Sequence, residues 1–463
     1  MPDPHLGFET IGNATLIVHD EVPVLVTDPW ITGAAYFGSW GLSHEIPTAQ
    51  RASIDAARHI WVSHGHPDHL SIPSLELLRD RPILLPDHRG GRIAAALRAD
   101  GFEVRVLEDR RWYPLSDRVS VCSVADWNQD AILLVDVDGV LVADVNDASD
   151  RGWGRFVRRT AARYDTSFLL ALSGYGDADM INFFRPDGER IPPLAARRDP
   201  PGAAIVRRMD ALGMTHFVPF ASHHQYERTD SAWANEYTTP IEDHAIGFEA
   251  DNRTFVPPFM RYDRSTGEIS HLAPASRRGE MHEPAEFGDD WTEEPDEDDV
   301  RAISEYFSGI ATLEHVVDEV TVCIGSTRIE VRIGQGTERG VRFDAPRRSF
   351  VDAVRWRIFD DLLIGNFMRT TLTGDWTPAD FGREFTPRLA KYADNGLART
   401  EAELRAYMRD YESRARTDVV RWKIERATRS GMTRTARALR RRVRGGSVVQ
   451  RMGSRAYRRV RGR

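Results

Sequence analysis

Short apolar stretches alternate with helical patterns along roughly the first 260 residues. Runs such as "TLIVHD", "VPVLVTD" and "RPILLP" are typical of strands, and "DVDG" within "DAILLVDVDGVLVAD" indicates a tight hairpin turn. Helical spacing occurs between these runs, for example in "SIPSLELLRD", where Ser71 is suited to cap the first turn. The alternation predicts an α/β sandwich.

The pattern changes after Tyr262. The next residues are polar and rich in Gly, Pro and acidic side chains. Strand and helix patterns resume near Val300, with a hairpin in "EVTVCIGSTRIEVRIG", an amphipathic helix that enters a turn in "SFVDAVRWRIFDDLLIG" and a long helical stretch from Glu401. We therefore predict a first domain at 1–262, an acidic linker or surface loop at 263–299, an α+β accessory domain at 300–420, and an arginine-rich tail at 421–463.

The net charge of −8 conceals two extremes. Residues 280–299 contain 11 carboxylates and no Lys or Arg, whereas the tail at 421–463 contains 15 Arg and one Lys against a single acid. A basic tail can bind nucleic acid, an anionic membrane or the acidic stretch of another subunit, and a solvated basic helix is an equal alternative. Aromatic residues are sparse there, which argues against RNA binding by base stacking.

Cysteine content and hydropathy restrict the class of protein. Cys122 and Cys323 are the only cysteines, so neither a disulfide framework nor a four-cysteine iron–sulfur cluster is expected. No signal peptide or 18-residue apolar run is visible, and we expect a cytoplasmic protein without a transmembrane segment. Lysines occur only at Lys391 and Lys423, and this preference for arginine suits a GC-rich bacterial genome.

The residues "VSHGHPDHLS" place four potential metal ligands within six positions. His64 and His66 flank a glycine directly after a predicted strand, so both imidazoles can reach one ion. Asp68 and His69 begin the next turn and can face a second ion. Burying these groups together is costly unless a positive charge holds them, so the pattern predicts a site for two divalent metal ions.

This H-x-H-x-D-H loop resembles the signature of the metallo-β-lactamase superfamily, and the resemblance covers roughly residues 1–260. It implies an αββα sandwich, to which the sequence pattern adds the α+β C-terminal domain and a basic helical tail. It further implies that Asp28 supports the metal loop, that Asp147 bridges both ions, and that His223 or His224 supplies the last histidine ligand. Which of these two histidines binds is left open by the sequence.

One expected ligand is missing. The superfamily usually has a third histidine for the first ion, between the signature loop and the bridging aspartate. The corresponding segment here is "CSVADWNQDAIL", in which Asp126 is the first candidate substitute and Asn128 the second. A carboxylate at this place would shift metal preference from zinc towards iron or manganese, without excluding zinc.

Within the superfamily the chain resembles the CMP-N-acetylneuraminate hydroxylase-like branch, through "IGNATLIV", "VNDAS", "PFAS" and "DDLLIGNFMRTTL". The superfamily resemblance implies a hydrolase in which a metal-bound hydroxide attacks an ester, amide or phosphodiester-type small molecule, with Asp68 orienting the hydroxide or moving a proton. The alternative is a di-iron oxygenase acting on a nucleotide-sugar or amino-acid-like substrate. The cysteines do not provide the paired ligands of a Rieske cluster, so that alternative requires an external electron donor.

Overall fold

The computed structural model describes residues 6–176 and 178–428. Its strands are β1 (Leu6–Ile11), β2 (Thr15–Asp20), β3 (Val22–Thr27), β4 (Trp40–Leu42), β5 (His59–Trp61), β6 (Ile83–Pro86), β7 (Val104–Leu107), β8 (Trp112–Pro114), β9 (Val119–Ala125), β10 (Ala131–Val137), β11 (Val140–Asn146), β12 (Thr166–Ala171), β13 (Phe183–Phe184), β14 (His216–Pro219), β15 (His224–Tyr226), β16 (Thr254–Phe255), β17 (Met260–Asp263), β18 (Ile269–His271), β19 (Glu319–Ile324), β20 (Thr327–Arg332), β21 (Gly340–Asp344) and β22 (Arg369–Thr373).

The α-helices are α1 (Thr48–Ala56), α2 (Ile72–Leu77), α3 (Arg92–Ala99), α4 (Gly154–Ala161), α5 (Gly202–Leu212), α6 (Glu297–Ser308), α7 (Arg347–Trp356), α8 (Phe359–Ile364), α9 (Pro378–Asp380) and α10 (Glu401–Arg414). Residues 416–428 form a further helical stretch. Tighter 3₁₀ turns lie at Ala178–Met180, Leu194–Arg197, Ala232–Tyr237, Ile241–Ala245, Pro284–Phe287 and Ala311–His315, and wider π-helical turns at Phe381–Phe385 and Pro387–Asn395. Within the described ranges, no helix is both long and apolar enough to cross a membrane.

Two large sheets form the first part of the chain. The first has eight strands in the order β18-β17-β1-β2-β3-β5-β6-β7, and the second has seven in the order β16-β14-β12-β11-β10-β9-β8. One apolar core lies between the sheets and contains residues of both, such as Val18 and Leu133. The outer face of the first sheet packs on α1, α2 and α3, and that of the second on α4 and α5. These four layers confirm the predicted αββα sandwich.

A tight turn joins the central strands of the second sheet, as the "DVDG" pattern predicts. β10 and β11 pair antiparallel with Val137 opposite Val140. Asp138 and Gly139 both have positive φ, 48° and 83°, the backbone conformation that two-residue hairpins require. This turn fixes the register of β11, whose far end carries residues of the candidate site.

The C-terminal part builds its own sheet and core but shares an edge with the first part. The third sheet has the order β13-β22-β21-β19-β20, so β13 comes from the predicted first domain. Conversely, β18 extends the first sheet beyond residue 262. The two parts are therefore interlocked, and the predicted boundaries at 262, 299 and 420 stay predictions. Of the predicted tail, residues 429–463 lie outside the described residues.

Arginine side chains form ion pairs with the acidic residues at and before the start of α6. Arg347 contacts Glu293, Asp296 and Asp299, and Arg355 contacts Asp299 as well. Asp296 accepts a hydrogen bond from the backbone N–H of Asp299 and caps α6, where carboxylates also interact favourably with the helix dipole. The last three acidic residues of the stretch, Glu297, Asp298 and Asp299, thus form the first turn of a helix, and the prediction of a linker or surface loop at 263–299 stays a prediction.

The predicted amphipathic helix in "SFVDAVRWRIFDDLLIG" ends in a turn. α7 ends at Trp356, Arg357 takes a left-handed φ of 54°, and α8 starts at Phe359. α7 and the reversal at Arg357 agree with the predicted helix that enters a turn, whereas the second helix, α8, was not predicted. The reversal buries Phe359 in the core of the C-terminal part and turns the next residue, Asp360, towards the first part.

The buried carboxylate of Glu9 on β1 interacts with residues of both neighbouring strands, β17 and β2. Glu9 on β1 has no exposed surface, accepts hydrogen bonds from Arg261 and Gln50, and lies 3.7 Å from His19. Burial alone would raise the pKa of Glu9, but the neighbouring His19 and Arg261 outweigh it and lower the pKa to about 2. The ionised form is therefore favoured by folding.

We expect Glu9→Gln to reduce the free energy of unfolding at pH 7 by about 2–3 kcal/mol. The pKa of Glu9 is lower in the folded chain, about 2, than its ordinary value of 4.5, so its stabilising effect is complete above pH 4.5 and is lost as the pH falls towards 2. Urea unfolding at pH 7, 5, 4 and 3 should show the gap between parent and variant narrowing with acid. Glu103→Gln, at an exposed site, is the control. A constant gap would contradict the assignment.

Candidate metal centre

The predicted site residues follow strands that end at one edge of the sandwich. Asp28 follows β3 and the H-x-H-x-D-H loop follows β5, and these two strands are parallel neighbours. Asp147 follows β11, and His223 and His224 come after β14, with β12 lying between these parallel strands. Because parallel strands end at the same edge, segments distant in sequence meet there.

The first cluster contains His64, His66 and Asp147, which offer ligand atoms within 4.8 Å of one another. Nε2 of His64 lies 2.8 Å from Nδ1 of His66 and 3.9 Å from Oδ2 of Asp147. Burial, together with the neighbouring histidines, lowers the pKa of His64 well below its usual range. A neutral imidazole with a free lone pair is the form that binds metal.

The second cluster contains Asp68 and His69 and shares Asp147 with the first. Nε2 of His69 lies 3.2 Å from Oδ2 of Asp68 and 3.6 Å from Oδ2 of Asp147, without a hydrogen bond of good geometry. Asp68 is oriented by two donors, Asn13 through Nδ2 at 2.9 Å and Tyr36 through its hydroxyl at 2.6 Å. Oδ2 of Asp147 thus lies within 4 Å of one histidine of each cluster.

Asp28 lies beneath the loop and accepts four hydrogen bonds. They come from the backbone and hydroxyl of Ser63 at 2.7 and 2.6 Å, from Nδ1 of His69 at 2.9 Å, and from Nδ2 of Asn146 at 3.1 Å. Burial lowers the pKa of His69, but Asp68 and Asp28 outweigh it and raise that pKa well above its usual range. Asp28 therefore fixes Nδ1 of His69 as a donor and leaves Nε2 to face the cluster.

His223 and His224 have different surroundings. Nε2 of His223 lies 3.4 Å from the carbonyl of Pro219. His224 stacks on Trp40 with 3.4 Å between ring centroids, and neither of its ring nitrogens makes a hydrogen bond of good geometry. The negative charge of Asp68 acts to raise the pKa of His224. Burial lowers the pKa of both histidines to about 3, so both are neutral. His224 is the better placed of the two to serve as a ligand.

The structure does not bring the candidate substitute Asp126 into the compact cluster. Its carboxylate accepts from the backbone of Asn128 at 2.7 Å and from Nε1 of Trp153 at 3.3 Å. Burial and the charge of Asp130 raise the pKa of Asp126 to about 8. Within residues 6–176 and 178–428, no hydrogen bond or ion pair joins Asp126 or Asn128 to the loop histidines. Their role as ligands stays a prediction, and Asp130, whose charge acts on Lys391, is a third candidate.

Two residues of the C-terminal part reach the site, and the sequence reasoning missed their role. Oδ2 of Asp360 lies 2.9 Å from Nε2 of His66 and 2.9 Å from Nζ of Lys391. Both new residues are largely buried. A signal was present in each case, because Asp360 opens the "DDLLIG" segment and Lys391 is one of only two lysines in the chain.

Carboxylates crowd this edge of the sandwich, with contributions from Asp28, Asp68, Asp144, Asp147, Asp360 and Asp361. Burial and neighbouring carboxylates raise the pKa of Asp144 and Asp361 well above the usual range, as expected where positive charge is insufficient. Bound cations would supply that charge. The imidazole nitrogens and carboxylate oxygens fit zinc, iron or manganese.

The four-layer sandwich with an H-x-H-x-D-H loop at its strand ends is the architecture of the metallo-β-lactamase superfamily, as the sequence predicts. The chain is similar to cytidine monophosphate-N-acetylneuraminic acid hydroxylases. Identity is 28% over 141 residues with the Asterias rubens protein, covering 28% of this chain and 22% of that one. It is 39% over 66 residues with the Sus scrofa protein, covering 14% and 15%. The chain spans less than a third of the length of the curated relatives it matches. No family model matches it.

Solved structures with similar folds include both reaction types. CmlA of Streptomyces venezuelae, a diiron β-hydroxylase, is 15% identical and matches 59% of this chain and 55% of its own, with a TM-score of 0.36. Igni18 of Ignicoccus hospitalis, a metallo hydrolase, is 12% identical and matches 55% and 96%, with a TM-score of 0.34. Both scores are below 0.5, so the sandwich is assigned from its own sheets and cores. The layers of the sandwich and the geometry of the loop therefore define a metallo-β-lactamase-like fold with a candidate metal site.

We expect Asp28→Ala to lower the free energy of unfolding by about 2–4 kcal/mol, because it leaves the Ser63 N–H and the His69 Nδ1–H buried without an acceptor. Urea unfolding in the presence of EDTA separates this effect from metal binding. Asp55→Ala, which removes only a surface pair with Arg51, should stay within about 0.5 kcal/mol of the parent. Equal stability of the two variants would contradict the supporting role of Asp28.

Proposed function

We propose that the protein is a dinuclear metal-dependent hydrolase acting on an ester, amide or phosphodiester-type small molecule. The observation that carries the proposal is the position of Asp147, whose Oδ2 lies 3.9 Å from Nε2 of His64 and 3.6 Å from Nε2 of His69. A carboxylate between two pairs of ligands is the arrangement that a bridging ligand requires. Two divalent ions held there would lower the pKa of a bound water and polarise a substrate oxygen.

The residues divide into two groups of ligands. His64, His66 and Asp147 would hold one ion, with a further ligand from the loop between β9 and β10. Asp68, His69, Asp147 and His224 would hold the other.

Asp68 is also our candidate for proton transfer. Burial alone would raise its pKa, but His69 and the surrounding hydrogen bonds outweigh it and keep the pKa well below the usual range. The ionised carboxylate, aimed by Tyr36 and Asn13, can accept a proton from water and return it to the leaving group.

The second candidate is a hydroxylase, and the similarity to cytidine monophosphate-N-acetylneuraminic acid hydroxylases favours it. In that reaction a substrate C–H bond becomes C–OH with one atom of dioxygen. The other atom leaves as water, which takes two electrons and two protons from an external donor. Iron in both positions would supply the redox chemistry, and an oxygen-rich ligand set is compatible with iron.

We expect the parent protein to bind two divalent ions per chain and His224→Ala to bind about one, because we propose His224 as a ligand of the second ion. His223→Ala, at the adjacent position, should keep two ions and is the matched control. The measurement is metal content after loading with Zn²⁺ or Fe²⁺ and desalting, with folding checked by circular dichroism. Equal loss in both variants, or loss only in His223→Ala, would contradict the assignment.

Activity with and without dioxygen distinguishes the two reactions. We expect the zinc-loaded protein to cleave p-nitrophenyl ester or phosphodiester substrates equally well in air and under argon. Asp68→Asn should lower kcat by roughly 10²- to 10⁴-fold, the size of a lost proton-transfer group. Turnover only by the iron-loaded protein with dioxygen and a reductant would overturn the hydrolase in favour of the hydroxylase.

A further inference from the structure

The C-terminal part contributes a charged pair directly behind one of the proposed ligands. Asp360 lies at the start of α8 and is separated from His66 by 294 residues, yet its Oδ2 is 2.9 Å from Nε2 of the imidazole. The same oxygen is 2.9 Å from Nζ of Lys391, in the turn Pro387–Asn395. All three side chains are about nine-tenths buried.

This pair is held in place by its own charges. Oδ2 of Asp360 lies 2.9 Å both from Nε2 of His66 and from Nζ of Lys391, and the side chains of Asp360 and Lys391 are both largely buried. A buried ion pair of this kind is difficult to separate, because either partner alone would be left as an uncompensated charge. Asp360 therefore has little freedom to move away from the imidazole.

The consequence for His66 concerns its two ring nitrogens. A carboxylate at Nε2 keeps the proton on that nitrogen, so the lone pair belongs to Nδ1. Nδ1 is the atom that lies 2.8 Å from Nε2 of His64, within the cluster completed by Asp147. The hydrogen bond from the C-terminal part thus selects the nitrogen that faces the metal position.

We propose that Asp360 and Lys391 form a positioning pair, supplied by the C-terminal part, which fixes the ring orientation of His66 and raises the metal affinity of the loop. The inference rests on the proposed function, because it requires the loop to bind metal. It gives the C-terminal part a role in the chemistry of the site. A salt bridge that merely joins the two parts would contribute to stability without affecting metal affinity.

The first test compares Asp360→Ala and Asp360→Asn with the parent. Metal affinity is measured by chelator competition with Zn²⁺, and the ligand field by the visible spectrum of the Co²⁺-loaded protein. We expect Asp360→Ala to weaken binding by roughly 10- to 100-fold, the usual effect of removing a carboxylate behind a ligating histidine. Asp360→Asn should lose less, because its amide oxygen still accepts from Nε2. The Co²⁺ spectrum should shift in the alanine variant.

A double-mutant cycle tests the contribution of Lys391. Lys391→Met should weaken metal binding, because Asp360 loses the charge that holds it. The double variant Asp360→Ala/Lys391→Met should bind metal no more weakly than Asp360→Ala alone, since Lys391 acts through Asp360. Additive losses would overturn the shared role of the pair.

Asp299 provides a matched control within the same part of the chain. It is fully buried and paired with Arg347 and Arg355, away from the metal loop. Asp299→Ala, or the milder Asp299→Asn, should reduce stability and leave the Zn²⁺ affinity of the folded protein unchanged. If Asp360→Ala binds Zn²⁺ as tightly as the parent, this inference is overturned and the proposed function stands. If the parent itself binds no Zn²⁺ or Co²⁺, both fall.

Discussion

The burial of several carboxylates and imidazoles at one edge of the sandwich is the constraint on which the rest of the structure depends. An isolated ion in a protein interior costs several kcal/mol, so each must be paired, neutralised or bound to metal. The described residues show two of these solutions, ion pairing and neutralisation. His69 lies between Asp28 and Asp68, Lys391 pairs with Asp360, and Asp361 is driven towards its neutral form. The position between the two ligand clusters is the place where a metal ion would complete the balance.

Three residues near these groups adopt a backbone conformation that is unfavourable for residues other than glycine. Asp28, Asn146 and Ser222 have positive φ values of 41°, 49° and 67°, a conformation that residues other than glycine rarely adopt. Each lies at a strand end beside a proposed ligand or is itself part of the support. The pairing of β11 with β12 also shifts register between Asp144 and Asn146, and such bulges redirect side chains at functional edges. Hydrogen bonds to Asp28 offset part of this strain.

Local patterns were sufficient to predict the sandwich and to mark the H-x-H-x-D-H loop as a candidate metal site, because strand periodicity and residue spacing are short-range properties of the sequence. The role of Asp360 could not be predicted in this way, since it depends on a left-handed residue at Arg357 and on a contact with His66, which is 294 residues away in the sequence. Lys391 reaches the site through the packing of two distant segments. The role of Asp126 stays a prediction: its position in the sequence suits a ligand, and its carboxylate accepts hydrogen bonds from the backbone of Asn128 and from Trp153.

The interlocked sheets change how the C-terminal part should be understood. Because β13 pairs with β22 and Asp360 contacts His66, displacement of that part would disrupt a sheet edge and the support of a ligand together. Specificity and metal preference can therefore be tuned from outside the sandwich. The proposed ligands would serve either of the two proposed reactions. The choice between them then depends on the redox properties of the bound metal and on a supply of electrons, and the charge that surrounds the ligands influences the first of these.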